Sequence, residues 1–187
     1  MSKALLTSTG FDNPNLTEAF LSAIRKDPSN IRVLFIPTAA FGEGKESIKM
    51  IPNFMRDLTY ACKIPRENIT TYNLDGAFTD NILQYDCIYF TGGDEKYLVK
   101  KIFAQNFNNV LNHAIKHDVF IIGVSAGAVI FSNYKYNIGI PLIPNSLDVH
   151  FKKSNTPDGE VPPPNTPIKL SDNQGLLILN KYKRIIS

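Results

Sequence analysis

Three stretches of this chain are nearly uninterrupted apolar runs of strand length: "IRVLFIP" (residues 31–37), "YDCIYF" (85–90) and "VFIIGV" (119–124). A strand with one wet face alternates apolar and polar residues. A run without alternation is expected where both faces are covered. Each run is far short of the roughly 20 apolar residues needed to cross a bilayer as a helix. The runs therefore read as central strands of a buried sheet, and what separates them has helical period. "NLTEAFLSAIRK" carries Leu16, Phe20, Ala23 and Ile24 at helical spacing, with Thr17 as its expected N-cap. Further helices are expected near residues 48–61, 96–103 and 108–116, and one starts at Ala126. "KALLTST" (3–9) and "ITTYNL" (69–74) complete the early strands, and "TAAFGEGKES" reads as a loop. Strands alternating with helices predict βαβ units: an α/β fold, a three-layer sandwich around a mostly parallel sheet.

The tail is different. After His150 comes "KKSNTPDGEVPPPNTP", a long loop whose proline run acts as a stiff segment. "IKL", "GLLIL" and "RIIS" then read as short strands, a hairpin or meander at the sheet edge. The length of 187 residues suits one domain, residues 1–187.

Composition sets further bounds. The formal charge of +3, with no Lys/Arg block longer than a pair, is too thin a basic footprint to expect nucleic acid as a partner. The two cysteines, Cys62 and Cys87, suit a reducing compartment better than a disulfide scaffold. "MSKALLTSTGF" holds too short an apolar run for a signal peptide. A cytoplasmic protein with no membrane partner is the expectation. A homodimer is compatible with the chain, whose sequence does not fix the oligomeric state.

The chemistry concentrates at two glycine corners. "GVSAG", residues 123–127, matches G-x-S-x-G, in which a strand turns sharply into a helix and lifts a serine clear of the sheet. Small neighbours are needed because the two backbones nearly touch. The N–H of Ala126, at the start of the helix, suits an oxyanion formed beside Ser125. The plainer alternative is that Ser125 only caps the helix. One unit earlier, "YFTGGDEKYLVKK" repeats strand, glycine turn and helix, with Gly92, Gly93 and Asp94 at the corner. A backbone N–H there could be a second oxyanion donor; alternatively Asp94 caps a tight turn. The spacing fits neither a P-loop nor G-x-G-x-x-G, so phosphate binding is not expected.

A serine nucleophile needs a base, and the chain offers three histidines. His113 and His117 share a helix face without a nearby glutamate, and read as solvated surface residues rather than metal ligands. No metal is expected. His150, in "IPNSLDVHF", stands at the end of a short strand and is the favoured base; a strand histidine satisfied by a backbone group is the alternative. For the orienting acid, Asp148 and Asp172 both remain open. Asp172 stands ahead because its turn, in "LSDNQGLLIL", could fold back beside His150, whereas Asp158 and Glu160 look solvated.

"YFTGGD", "IIGVSAGAVIF", "IPNSLDVHF" and "LSDNQGLLI", in that order, resemble the peptidase E-like serine peptidases, relatives of aspartyl dipeptidase and cyanophycinase. The resemblance implies a fold similar to the class I glutamine amidotransferases, with serine in place of the elbow cysteine. It implies a serine-type peptidase acting on small peptides or amides, a dipeptidase or exopeptidase rather than an endopeptidase, without a cofactor. Ser125 would be the nucleophile, His150 the general base and Asp172 the acid, with oxyanion donors from Gly93 and Ala126. A binding or regulatory domain that retains the fold without catalysis is the alternative. The segment from His150 to Asp172 holds no arginine that could grip an acidic substrate side chain; Lys152 and Lys153 are its nearby cations.

Overall fold

The computed structural model describes residues 2–152 and 156–187. Its main sheet has seven strands in the order β3-β2-β4-β5-β1-β8-β9. These are β1 (Lys3–Thr7), β2 (Val33–Ile36), β3 (Ile69–Thr71), β4 (Cys87–Phe90), β5 (Phe120–Val124), β8 (Gly175–Leu179) and β9 (Tyr182–Ile186). The first five run parallel; β8 pairs antiparallel with β1, and β9 antiparallel with β8. The sheet is mixed but mostly parallel, and helices flank it.

The apolar runs are explained by what covers them. Every residue of β2, β4 and β5 is buried. Alternate residues feed two separate cores, as the pleat requires. Leu34, Ile36, Ile88, Phe90 and Ile121 face one core, packed by Leu98 and Ile102 of α4 (Glu95–Ala104) and Phe107 and Leu111 of α5 (Phe107–Lys116). Val33, Phe35, Cys87, Tyr89 and Ile122 face the other, packed by Leu16 and Phe20 of α1 (Pro14–Ile24). At about 25 cal/mol per Å² of apolar surface removed from water, two filled cores are the main drive for this arrangement.

Four expectations are corrected. Helix α1 is capped by Asn13, not Thr17: Pro14 is pre-set for the first helical position, and the Asn13 side chain accepts from the Asn15 N–H at 3.0 Å. The helix expected over 48–61 starts inside the expected loop and is broken into α2 (Lys45–Lys49), α3 (Ile51–Arg56) and a π-helical turn (Asp57–Ala61). Pro52, in the first turn of α3, has no N–H for the carbonyl four residues back, so one continuous helix cannot form. The strand expected over 69–74 stops at Thr71; Leu74 takes a left-handed φ of 54°. Finally, "IKL" does not join the main sheet. It forms β7 (Ile168–Ser171), which pairs in parallel with β6 (Leu147–Phe151) as a separate two-stranded sheet. "GLLIL" and "RIIS" do form the expected edge hairpin. Of the loop expected after His150, residues 153–155 lie outside the described residues, and with them Lys153.

Strands β4, β5 and β1 are adjacent and parallel, with Phe90 opposite Gly123 and Thr7 opposite Val124. Their C-terminal ends therefore stand side by side at one edge of the sheet. Carboxyl edges of this kind are where open α/β folds place their ligands.

Candidate active site

Strand β5 ends at Val124, and Ser125 follows with φ 49° and ψ −114°. That conformation is unfavourable for any residue with a side chain and is held only where surroundings enforce it. Two glycines do the enforcing. A Cβ on Gly123 would lie 2.3 Å from the Gly127 carbonyl oxygen, and one on Gly127 would lie 2.6 Å from that of Phe90. Strand, turn and helix are thus in backbone contact. The Ser125 N–H donates to the Thr7 carbonyl at 3.0 Å, and its own carbonyl accepts from Ala128 and Val129. These bonds start α6 (Ala126–Val129), which is one turn long. At that length what the helix start offers is the single N–H of Ala126, not a macrodipole.

Facing the serine, the His150 Nε2 lies 2.9 Å from Ser125 Oγ, and His150 Nδ1 lies 2.8 Å from Asp172 Oδ1. His150 takes a left-handed φ of 63°, where the β6–β7 register shifts between Asp148 and Phe151. Bulges of this kind re-aim side chains. Asp172 sits in the turn between β7 and β8, which is closed by the Gln174 N–H donating to the Ser171 carbonyl at 3.0 Å. Asp148 is drawn elsewhere: it stands opposite Lys169 in the β6–β7 pairing. Of the two carboxylates, it is Asp172 that meets the histidine. Both members of this pair are exposed, with 51% of the His150 side chain and 63% of the Asp172 side chain accessible.

The second glycine corner lies against the first. A Cβ on Gly92 would come within 3.2 Å of the Ser125 Cβ and 3.3 Å of Phe54 Cζ. Gly93 has φ 137°, and a Cβ there would lie 2.2 Å from the Ala39 carbonyl oxygen, so the turn admits only glycine. Asp94 is occupied. Its carboxylate accepts from the Tyr97 N–H at 2.9 Å as the N-cap of α4, and its own N–H donates to Ala39. Among the described residues, the Gly93 and Ala126 amides have no protein acceptor.

His113 and His117 stand with rings 4.3 Å apart on α5, and the His117 ring contacts the His113 carbonyl. Among the described residues no group of three or more His, Cys, Asp or Glu could hold a metal ion. No helix among them is long and apolar enough to cross a membrane.

Three neighbours were not foreseen. Ser8, fully buried just past β1, accepts from the His150 N–H at 2.9 Å and reaches Asp172 Oδ1 at 3.4 Å. The Thr9 hydroxyl donates to the Asp172 carbonyl. Phe54 of α3 walls the serine corner. The polar "TST" closing an apolar strand was the available signal for the first two; nothing local marks Phe54. Thr9 and Phe54 also border a groove of about 1200 Å³ that runs past Phe11, Asp57 and Tyr60 to Lys63. Neither Ser125 nor His150 lines this groove, which lies beside these two residues rather than over them.

Comparison with known proteins bears on the fold and the family. Proteins of curated function give no match. Among solved structures, a candidate peptidase E protein from Listeria monocytogenes EGD-e superposes with a TM-score of 0.71 at 18% identity, covering 100% of this chain and 98% of that one. A peptidase from an acI-B1 Actinobacterium gives 0.68 at 19% identity, covering 100% and 88%. At such identity these likenesses speak for a shared fold. The family model for peptidase family S51 matches residues 4–139, which include both glycine corners and Ser125, while His150 and Asp172 lie beyond the match. The chain belongs to peptidase family S51.

Proposed function

We propose that this peptidase is a serine hydrolase of small peptides or amides, working through Ser125, His150 and Asp172. The observation that carries the reading is the unbroken hydrogen-bonded chain Ser125–His150–Asp172, at 2.9 and 2.8 Å, ending on a strained elbow. His150 Nε2 takes the proton from Ser125 Oγ as the oxygen attacks the substrate carbonyl. The resulting imidazolium is stabilised and oriented by Asp172 through Nδ1–H. The oxyanion is held by the N–H groups of Gly93 and Ala126. Gly92 serves by lacking a side chain that would crowd the serine. His150 then gives its proton to the leaving amine, and water, activated in turn by His150, releases the acyl group. The scheme calls for no metal or organic cofactor.

Short substrates fit best. The triad is exposed at a sheet edge, and the adjoining groove is bounded by Phe54, Thr9 and Phe11, which suits a few residues of peptide rather than a folded protein. We read the activity accordingly as that of a dipeptidase or exopeptidase. The unpaired, buried Cys62 and Cys87 fit a reducing cytoplasm.

A fluorophosphonate probe tests the reading. Wild-type protein should be labelled at Ser125, and Ser125→Ala should not. Well-folded wild type that resists labelling would favour a non-catalytic binding domain. A screen of dipeptides varying the N-terminal residue would then define specificity.

A further inference from the structure

Asp57 opens the π-helical turn after α3, closed by the Cys62 N–H donating to the Asp57 carbonyl at 3.0 Å. Its side chain is largely buried, and among the described residues no cation pairs with it. The carboxylate accepts from the Tyr89 hydroxyl at 2.6 Å and faces the Phe11 backbone N–H, which favours its charged form. It presses against Gly10, where a Cβ would lie 2.3 Å from Oδ2 and where φ is +97°. Gly10 is itself tied to β1, its N–H donating to Thr7 Oγ1 at 3.0 Å. The residues between these anchors are Ser8 and Thr9, the two that touch His150 and Asp172.

We propose that Asp57 is a positioning residue for the triad: its ionised carboxylate clamps the Gly10–Phe11 turn, and the clamped loop holds His150 and Asp172 through Ser8 and Thr9. The proposal rests on the triad reading above. A carboxylate can accept from Tyr89 and Phe11 together. A protonated acid gives up part of that capacity and must also place its own proton. The loop is therefore gripped when Asp57 is ionised and slackened when it is not.

The surroundings put this change in a useful range. Burial outweighs the two donors and raises Asp57 to about 7. The other titratable groups facing it are Tyr89 from β4, Cys62 beyond the π-helical turn and Asp12 in the same loop. Burial keeps Tyr89 and Cys62 protonated, and the Asp12 charge pushes Asp57 further up. Glu18, Arg56, Tyr60 and Lys63 line the adjoining groove.

The test reads the fluorophosphonate labelling rate of Ser125 against pH, and in parallel the ¹⁵N resonances of the His150 ring with no probe present. In wild type the acid limb of the rate should be steeper than one ionisation allows, and the His150 resonances should follow two steps. In Asp57→Asn both should collapse to one step, with the rate at pH 8 down about ten-fold. Tyr89→Phe keeps the ring that stacks on Phe35 and removes one donor from the carboxylate, so the steep limb should move to higher pH. A purely structural role would not move it. Identical one-step profiles in wild type and Asp57→Asn would overturn the proposal, as would an unmoved limb in Tyr89→Phe. Failure of wild type to label would overturn the hydrolase reading alone; the probe-free His150 titration still decides whether Asp57 positions the histidine.

Discussion

The two halves of the proposed triad are held by different physics. Ser125 is placed by backbone: parallel strands, two glycines in contact with main chain, and a φ that nothing local favours. His150 and Asp172 stand on an outlying two-stranded sheet and a hairpin turn, largely exposed, and are placed by side-chain hydrogen bonds from the loop after β1. A change at the elbow should therefore show first in stability, and a change at the arm first in rate. That contrast can be broken by experiment.

The largest effect belongs to the arm. Asp172→Asn removes the charge that orients the imidazolium and should lower turnover by roughly 10⁴-fold. Asp172 is exposed, so the melting temperature should barely move. If Asp148→Asn did this instead, the acid would be wrongly assigned. Next comes the elbow. Replacing a glycine by alanine inside a helix ordinarily stabilises by about 1 kcal/mol. At Gly127 the new methyl would meet the Phe90 backbone at 2.6 Å, and backbone cannot swing aside as a side chain can. Overpacking of this kind costs about 3 kcal/mol, so the clash outweighs the propensity. A denaturant titration of Gly127→Ala should show the loss, and unchanged stability would refute backbone placement.

Asp57 connects the two halves and gives the third effect. Its folded-state value of about 7 lies above its ordinary 3.8, so the native state binds this proton more tightly than the unfolded chain. Stability then falls with rising pH wherever the native state holds the extra proton. This contribution is fully present below about pH 4 and is lost as pH rises through 7, with roughly 3 kcal/mol of the loss between pH 5 and pH 8. Melting of Asp57→Asn across that range should show a flatter profile than wild type. Equal slopes would mean that the carboxylate titrates normally.

The same division decides what could be seen in the sequence. The parallel core was legible because burial on both faces writes continuous apolar runs, as in "CIYF" and "FIIGV". The elbow was legible because close backbone approach demands glycine at fixed spacing. His150 was narrowed by the scarcity of histidines. The choice between Asp172 and Asp148 was only partly legible: the turn in "LSDNQG" put Asp172 ahead, but the contact turns on where β7 pairs, and pairing with β6 rather than the main sheet leaves no local mark. Ser8 was only faintly marked, by the polar "TST" that closes β1, and its partners were hidden for a similar reason: its bonds to His150 and Asp172 span 142 and 164 residues. The break in the helix near Met50 was readable from Pro52 and was missed.

Ser8 also gives the smallest and most discriminating effect. It belongs by position to the rigid sheet edge, being fully buried with its N–H on the Gln174 carbonyl at 3.1 Å, yet its hydroxyl serves the arm. Ser8→Ala leaves the His150 N–H without its acceptor, at a cost of about 1–2 kcal/mol. It also frees a histidine held at φ 63°, and the labelling rate should fall several-fold. In a background already carrying Asp172→Asn, the histidine is misoriented, and losing Ser8 should cost the rate much less while costing the same stability. Residues that act on one group are non-additive in this way. A double-mutant cycle on rate and on melting temperature therefore separates the two roles. Additivity in both would place Ser8 with the elbow as a purely structural residue; coupling in rate alone would place it with the arm.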